Sequence, residues 1–73
     1  MAPVRDPKID PQPGDVLPKT APSGKELFRC VTGRKGHDIY YVAGRTNAGK
    51  IKNCWISTWQ EWATSARVLA FNP

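Results

Sequence analysis

Residues able to support catalysis are few in this chain, and their spacing does not fit a catalytic site. His37 is the only histidine among 73 residues, and Asp38 follows it directly. Neighbouring residues of an extended strand point to opposite faces, so Asp38 would not orient the His37 ring toward a nucleophile such as Cys30. The acidic residues of the central region show no spacing typical of a catalytic carboxylate pair. The sequence therefore predicts a protein that is not an enzyme.

The cysteines and the glycine-rich loops do not match a ligand-binding pattern either. Cys30 and Cys54 lie far apart and form no C-x-x-C pair, so neither a zinc site nor a thioredoxin-type site is expected. Residues 44–50 lack the upstream glycine spacing of a phosphate-binding loop, and no helix is predicted after them. We expect no metal and no cofactor. Both thiols are expected to be reduced and buried, and a disulfide between them is the alternative.

Basic and aromatic residues alternate in the middle of the chain and are the best candidates for a binding surface. Residues 25–52 carry seven lysines and arginines against two acidic residues, a charge of +5 that equals the net charge of the whole chain. Lysine and arginine neutralise phosphates, and exposed aromatic rings stack on bases with about 1–3 kcal/mol per base. The predicted nucleic-acid or anion-binding residues are Arg34, Lys35, Arg45, Lys50, Lys52, Tyr40, Tyr41 and Trp55.

Other interpretations of this basic region stay open. Residues 33–36 and 44–50 would lie at opposite ends of one strand, about 25 Å apart at 3.3 Å per residue, which divides the cations into two groups. Tyr40 and Tyr41 are adjacent, so one of them is expected in the core. A cationic domain could instead dock on an acidic protein, or the charge could serve solubility alone. We expect nucleic acid as the partner first and an acidic protein second, bound by a monomer or weak dimer.

The elements that must position these residues are short β-strands. Residues 38–43 are almost wholly β-branched or aromatic after Asp38, and the following turn is expected to place Asn47 and Gly49 at positive φ. Strands are also predicted at 16–17, 26–32, 50–56 and 66–71. The glycines at both ends of residues 33–36 predict a loop there.

One helical turn is predicted between the last two strands. Trp59, Trp62 and Ala63 have helical spacing, and Thr58 and Glu61 match a capping box that would begin the turn. A domain this small needs large aromatic side chains inside, which favours core positions for Trp55 and Trp59. Trp55 is the indole for which a position facing a partner stays open.

The N-terminal region differs in composition from the rest. Residues 1–24 hold six of the seven prolines, and residues 1–13 are predicted to be a disordered, Pro-rich tail before a domain at 14–73. There is no apolar signal segment, and no stretch approaches the roughly 20 apolar residues of a membrane span. We expect a cytoplasmic protein without a membrane partner.

The order of these elements resembles that of an SH3-like small β-barrel. The resemblance begins at Pro13-Gly14-Asp15-Val16 and runs to about residue 71. It implies an all-β, five-strand barrel with one short helical turn before the last strand. The Pro-rich head, the basic β core and the Trp-x-x-Trp-Ala element also resemble small bacteriophage and prophage proteins. Few acidic residues are available to flank a groove for proline-rich ligands, so that function is not expected. The five-strand OB barrel is the structural alternative.

Overall fold

The computed structural model describes residues 5–46 and 48–71, and its main element is an antiparallel sheet of four strands. The strands are β1 (Val16–Thr20), β2 (Glu26–Lys35), β3 (Asp38–Val42) and β4 (Ile51–Trp55), in that order across the sheet. In the same described ranges one helix, α1 (Ile56–Ala63), follows β4 directly. Short connections let each strand pair with its sequence neighbour. The prediction of a small, mostly β domain is confirmed.

The helix packs on one face of the sheet, which we call the inner face, and together they form the core. The inner face contributes Leu17, Val31, Ile39 and Tyr41, which are buried with Trp59 of α1. Trp59 is fully buried, and its ring meets the Tyr41 ring edge-on with centroids 5.9 Å apart. Side chains alternate along each strand, so the residues between these core positions point to the opposite, outer face.

The predicted five-strand barrel is wrong, because the sheet does not close and the described residues form no fifth strand. Residues 66–71 run beside β1 but make only an isolated bridge between Val16 and Ala70. Val16 N donates to Ala70 O (2.8 Å), and Arg67 N donates to Pro18 O (2.8 Å). Pro18 has no N–H to donate in return, so a regular ladder cannot continue along β1. At the other edge of the sheet, β4 pairs with β3 alone.

The helix begins earlier than predicted, and the predicted capping box is wrong. α1 starts at Ile56, with Trp55 as an extended N-cap residue that makes no side-chain cap hydrogen bond. The Ile56 N–H donates instead to the His37 carbonyl, 2.8 Å away. The helix therefore starts where the pairing of β3 with β4 ends. Thr58 lies within the first turn rather than before it, and does not cap the helix.

Strand β2 is longer than predicted because it continues through a bulge. It runs to Lys35, past the start of the loop predicted at 33–36. The pairing with β3 shifts between Val31 and Gly33, which inserts one extra residue into β2. An extra residue transfers every later side chain of a strand to the other face. Arg34 therefore joins the inner face, and Lys35 joins the outer face.

Residues 5–13 form no strand or helix, as their composition predicts, but they are held against the domain. The Trp59 Nε1–H donates to the Pro7 carbonyl at 3.1 Å. Asp15 is fully buried and accepts two hydrogen bonds from the Arg5 guanidinium, at 2.6 and 2.8 Å. This buried carboxylate is thus both paired and hydrogen-bonded, as buried charges need to be. The first four residues of the predicted tail lie outside the described part of the chain.

The connection between β3 and β4 folds back on Val42. Gly49 has a positive φ of 152°, as predicted, and a Cβ at this position would lie 3.0 Å from Val42 Cγ1. Asn47, the other residue predicted at positive φ, lies outside the described residues. Val42 is 4% exposed although it points to the outer face. The connection thus covers one end of that face and leaves the other end open.

Candidate functional site

The uncovered end of the outer face carries a group of polar and aromatic side chains that we call the open patch. Its members are Lys35, His37, Tyr40, Asn53 and Trp55. The register pairs Tyr40 with Asn53 and Asp38 with Trp55, so Tyr40 and Trp55 are diagonal neighbours on one face. Diagonal neighbours on adjacent antiparallel strands lie roughly 7–8 Å apart, within reach of aromatic side chains. Two aromatic residues thus occupy neighbouring positions on one face of a hydrogen-bonded sheet.

Trp55 is the exposed ring of the open patch. Its side chain is 55% exposed, so the expected core position is wrong and the solvent-facing alternative is confirmed. The cause is local: the chain turns into α1 directly after Trp55, and the helix covers the inner face only. The His37 ring lies tilted against Trp55, with centroids 5.4 Å apart. The indole therefore presents a large apolar surface next to the imidazole ring of His37.

A second group lies at the opposite end of the outer face. The Arg45 guanidinium carbon is 4.6 Å from the centroid of the Phe28 ring, a cation–π geometry. Both residues line a cleft of about 380 Å³, together with Pro18, Val68, Leu69 and the ion-paired Glu26 and Arg67. Strand β3 separates this group from the open patch by about 17 Å, for five residues at 3.3 Å each. The division of the basic residues into two groups, which the sequence left open as an alternative, is thus present. The distance between the groups is about 17 Å rather than about 25 Å.

The eight predicted binding residues divide between the two faces of the sheet. Lys35, Tyr40 and Trp55 meet in the open patch, and Arg45 and Lys50 lie in the connection at the far end. The other three lie on the inner face: Arg34, Tyr41 and Lys52. Tyr41 is 8% exposed and is a core residue, as the adjacency of the two tyrosines predicted for one of them. Lys52 is exposed beside it.

Arg34 is engaged by the N-terminal segment. It pairs with Asp10 and donates to the Gly36 carbonyl at 2.8 Å and to the Pro11 carbonyl at 3.3 Å. By contrast, the predicted cations that lie off the inner face are exposed and form no salt bridge with the described residues: Lys35, Arg45 and Lys50. These three are the cations that a ligand on the outer face can reach.

Arg29 occupies an aromatic setting on the inner face. Its guanidinium carbon is 4.4 Å from the Tyr41 ring centroid, 4.2 Å from that of Trp62 and 6.0 Å from that of Trp59. Nη1 is buried and has no hydrogen-bond partner among the described residues. Burial lowers the pKa of the Arg29 guanidinium, and the neighbouring Tyr41 and Cys54 oppose this shift. The aromatic rings therefore attract the Arg29 guanidinium, as the Asp15 carboxylate attracts the guanidinium of Arg5.

The cysteines are not placed for chemistry. Cys30 lies on the outer face and Cys54 on the inner face, and both are free thiols, so the disulfide alternative is wrong. Burial raises the pKa of both thiols; Asp15 adds to this for Cys30, while Arg29 opposes it for Cys54. A raised pKa keeps a thiol protonated and weakly nucleophilic.

Neither a metal site nor a membrane-spanning helix is found within residues 5–46 and 48–71. No group of three or more histidine, cysteine or acidic side chains converges there to hold a metal ion. The eight residues of α1 are too few to cross a lipid bilayer.

Sequence reasoning missed three outer-face residues: Phe28, His37 and Asn53. Phe28 had a usable signal, because it shares the parity of the other outer-face positions of β2. His37 and Asn53 had no such signal. His37 joins the open patch through its contact with Trp55, and Asn53 joins it because the strand register places it beside Tyr40.

Comparison of the chain with protein-family models, curated proteins and solved structures gave no match. The resemblance to bacteriophage proteins and the cytoplasmic location stay predictions. Function has to be argued from the chemistry of the surface itself, since a fold alone does not specify it.

Proposed function

We propose that this protein binds single-stranded nucleic acid on the outer face of its sheet. In this proposal Trp55 and Tyr40 stack on bases, and Lys35, Arg45 and Lys50 contact phosphates. The observation that carries it is the exposure of Trp55. A chain that buries Trp59 completely presents another indole 55% exposed at the end of a strand, with Tyr40 at the diagonal position on the neighbouring strand. Exposed rings on a sheet with flanking cations form a stacking platform for unpaired bases.

The distribution of charge favours a strand that crosses the face rather than a single phosphate. Lys35 stands at one end of β3, and Arg45 and Lys50 stand beyond the other end, about 17 Å away. Single-strand binders of this size cover about 4–16 nucleotides, which is enough to reach both ends. Asp38, an acidic side chain at the same end of the outer face, accepts a hydrogen bond from Asn53 at 3.4 Å.

Fluorescence anisotropy with labelled oligothymidine and oligouridine tests the proposal. Three phosphate contacts predict a slope of log K against log salt of about −2, at roughly −0.7 per phosphate for single strands. Trp55→Ala should weaken binding about 5- to 150-fold, the equivalent of 1–3 kcal/mol of stacking. Lys35→Gln should weaken binding and reduce the slope by about 0.7.

Leu69→Ala is the matched control for Trp55→Ala. Leu69 is 60% exposed and lies outside the open patch, so its truncation should leave the affinity unchanged. No binding of either oligonucleotide at low salt, or equal effects of the two alanine variants, would refute the proposed interface.

An acidic protein is the second candidate partner, and it is favoured by a different observation. Leu69 and Val68 are 60% and 39% exposed beside the cleft that Arg45 lines. Exposed apolar side chains beside a cleft that Arg45 and the Glu26–Arg67 ion pair line suit a protein surface better than a nucleic-acid strand. A partner that stays bound after nuclease treatment, and is lost in Leu69→Ala, would support this candidate instead.

We further propose that the domain is an open relative of the SH3-like barrel. Support comes from the position of residues 66–71, which lie beside β1 where such a barrel has its last strand. The helix immediately before this segment agrees with the same order of elements.

A further inference from the structure

Strand β4 is an edge with unusual exposure. Four of its five residues are exposed, and Cys54 alone is half-buried. The opposite edge of the sheet is different, because residues 67–70 cover β1 with hydrogen bonds such as Leu69 N to Val16 O at 3.0 Å. Each molecule therefore presents one uncovered sheet edge, within the part of the chain that the structure describes.

The register shows which backbone groups of β4 point outward. Antiparallel residue pairs alternate between exchanging hydrogen bonds and exchanging none. Ile56 N bonds to His37 O, so the neighbouring pair Asp38–Trp55 is a non-bonded one, as is Tyr40–Asn53. The backbone groups of Ile51, Asn53 and Trp55 consequently face away from β3. The Trp55 carbonyl is the exception, because an N-cap carbonyl accepts the first hydrogen bond of its helix.

We propose that the protein forms a symmetric dimer in which two β4 strands pair antiparallel about Asn53. In this register Ile51 of one copy lies opposite Trp55 of the other, and Asn53 lies opposite Asn53. Ile51 and Trp55 are the exposed apolar side chains of the strand, at 59% and 55%. Both point to the outer face, because they are four residues apart. A two-fold axis at Asn53 thus places Ile51 of each copy beside Trp55 of the other, and the pairing forms four new backbone hydrogen bonds.

Charge and symmetry select a second copy as the occupant of this edge. In the antiparallel register Lys52 lies opposite Cys54 of the other copy, whereas a parallel in-register pairing would set Lys52 beside Lys52. Like charges directly opposite one another destabilise a sheet. Because each copy uses its own β4 edge in this pairing, assembly ends at two rather than growing into a filament.

The dimer changes the geometry of the outer faces. A two-fold axis perpendicular to the sheet places both outer faces on the same side of one eight-stranded sheet. The two open patches then lie next to each other across the new pairing. The inference does not depend on nucleic-acid binding, since it follows from the register and exposure of β4.

Sedimentation of the full chain from micromolar to submillimolar concentration tests the dimer. Each copy carries a net charge of +5, so added salt should strengthen dimerisation by screening repulsion. Nucleic-acid binding should weaken with salt, so failure of one proposal is distinguishable from failure of the other. Ile51→Lys should give a monomer. Val68→Lys introduces the same charge at an exposed position away from β4, and this variant should still dimerise.

Disulfide trapping provides a second readout that does not depend on the strength of association. In a Cys54→Ser background, Asn53→Cys should form a covalent dimer under mild oxidation, because opposed residues of a bonded pair lie about 5.5 Å apart between Cα atoms. Ser23→Cys, at an exposed loop position, should not do so. A monomer at every concentration and salt, a dimer that persists in Ile51→Lys, or equal trapping of the two cysteine variants would overturn the inference.

Discussion

The contact between Trp59 and the N-terminal segment makes a quantitative prediction about Trp59→Phe. The substitution removes the Nε1–H that donates to the Pro7 carbonyl, and both residues are buried. Leaving a buried acceptor unpaired costs about 1–3 kcal/mol. The smaller ring adds a cavity cost of about 1 kcal/mol, a fraction of the 3–5 kcal/mol for removing an aromatic side chain. The free energy of unfolding should fall by about 2–4 kcal/mol.

This loss is large for so small a chain. At 0.05–0.15 kcal/mol per residue, the whole protein is stable by about 4–11 kcal/mol. Urea unfolding followed by circular dichroism measures the change without relying on tryptophan fluorescence. Trp55→Phe is the matched control: the same chemical change at a 55% exposed position should alter the free energy of unfolding by less than about 0.5 kcal/mol.

Hydrogen exchange separates the two causes of the loss. The Ile9 and Asp10 amides both donate to the Asp6 carbonyl, at 3.0 and 2.7 Å, within the segment that Trp59 holds. They should exchange faster in Trp59→Phe than in the wild type under native conditions. Unfolding energies of Trp59→Phe and Trp55→Phe that agree within error would refute the role of Trp59. A loss of stability with unchanged exchange at Ile9 and Asp10 would refute the role of the Pro7 bond.

Two further predictions concern the β3–β4 connection and the thiols. Gly49→Ala should lower the free energy of unfolding by about 1 kcal/mol more than Gly24→Ala. Both positions have positive φ, but only at Gly49 would the new Cβ meet a neighbouring side chain, that of Val42, at 3.0 Å. Equal urea midpoints of the two variants would contradict this. Folding raises the pKa of each thiol. The contribution of each thiol to the free energy of unfolding is therefore complete below about pH 8.5 and is lost as pH rises through the folded pKa. The free energy of unfolding should therefore fall above that pH, and a Cys30→Ala/Cys54→Ala double variant should show a smaller fall over the same pH range.

Local patterns predicted the strands well where side-chain type was consistent. The run from Asp38 to Val42 gave β3 to within one residue, and β4 was found between residues 51 and 55 within the predicted 50–56. The start of α1 was missed, because it is set by a hydrogen bond from Ile56 to the distant His37. The absence of a ladder between residues 66–71 and β1 was missed as well, because it is caused by Pro18, a residue of β1 that has no N–H to donate. Contacts over long sequence separation are invisible to a periodicity argument.

The candidate site shows the same limit. The alternation rule correctly placed one of Tyr40 and Tyr41 in the core, but it could not say which without the pairing register. Arg34 and Lys35 exchanged faces because of a single extra residue in β2, and no residue type in that stretch announces a bulge. The aromatic contacts of Arg29 likewise arise when α1 folds over β2, bringing Trp62 to within 4.2 Å.

The contact between residues 67–70 and β1 also determines how the molecule responds to force. Val16 lies opposite Ala70, so the chain enters β1 and leaves the C-terminal segment at the same end of their pairing. The Arg5 guanidinium lies 5.7 Å from the Phe71 ring at that end, which keeps the two ends of the described chain close. Tension applied between the chain ends would therefore break the hydrogen bonds between β1 and residues 67–70 one after another, rather than load them all together in shear. The contact between these two segments would thus yield at a low pulling force.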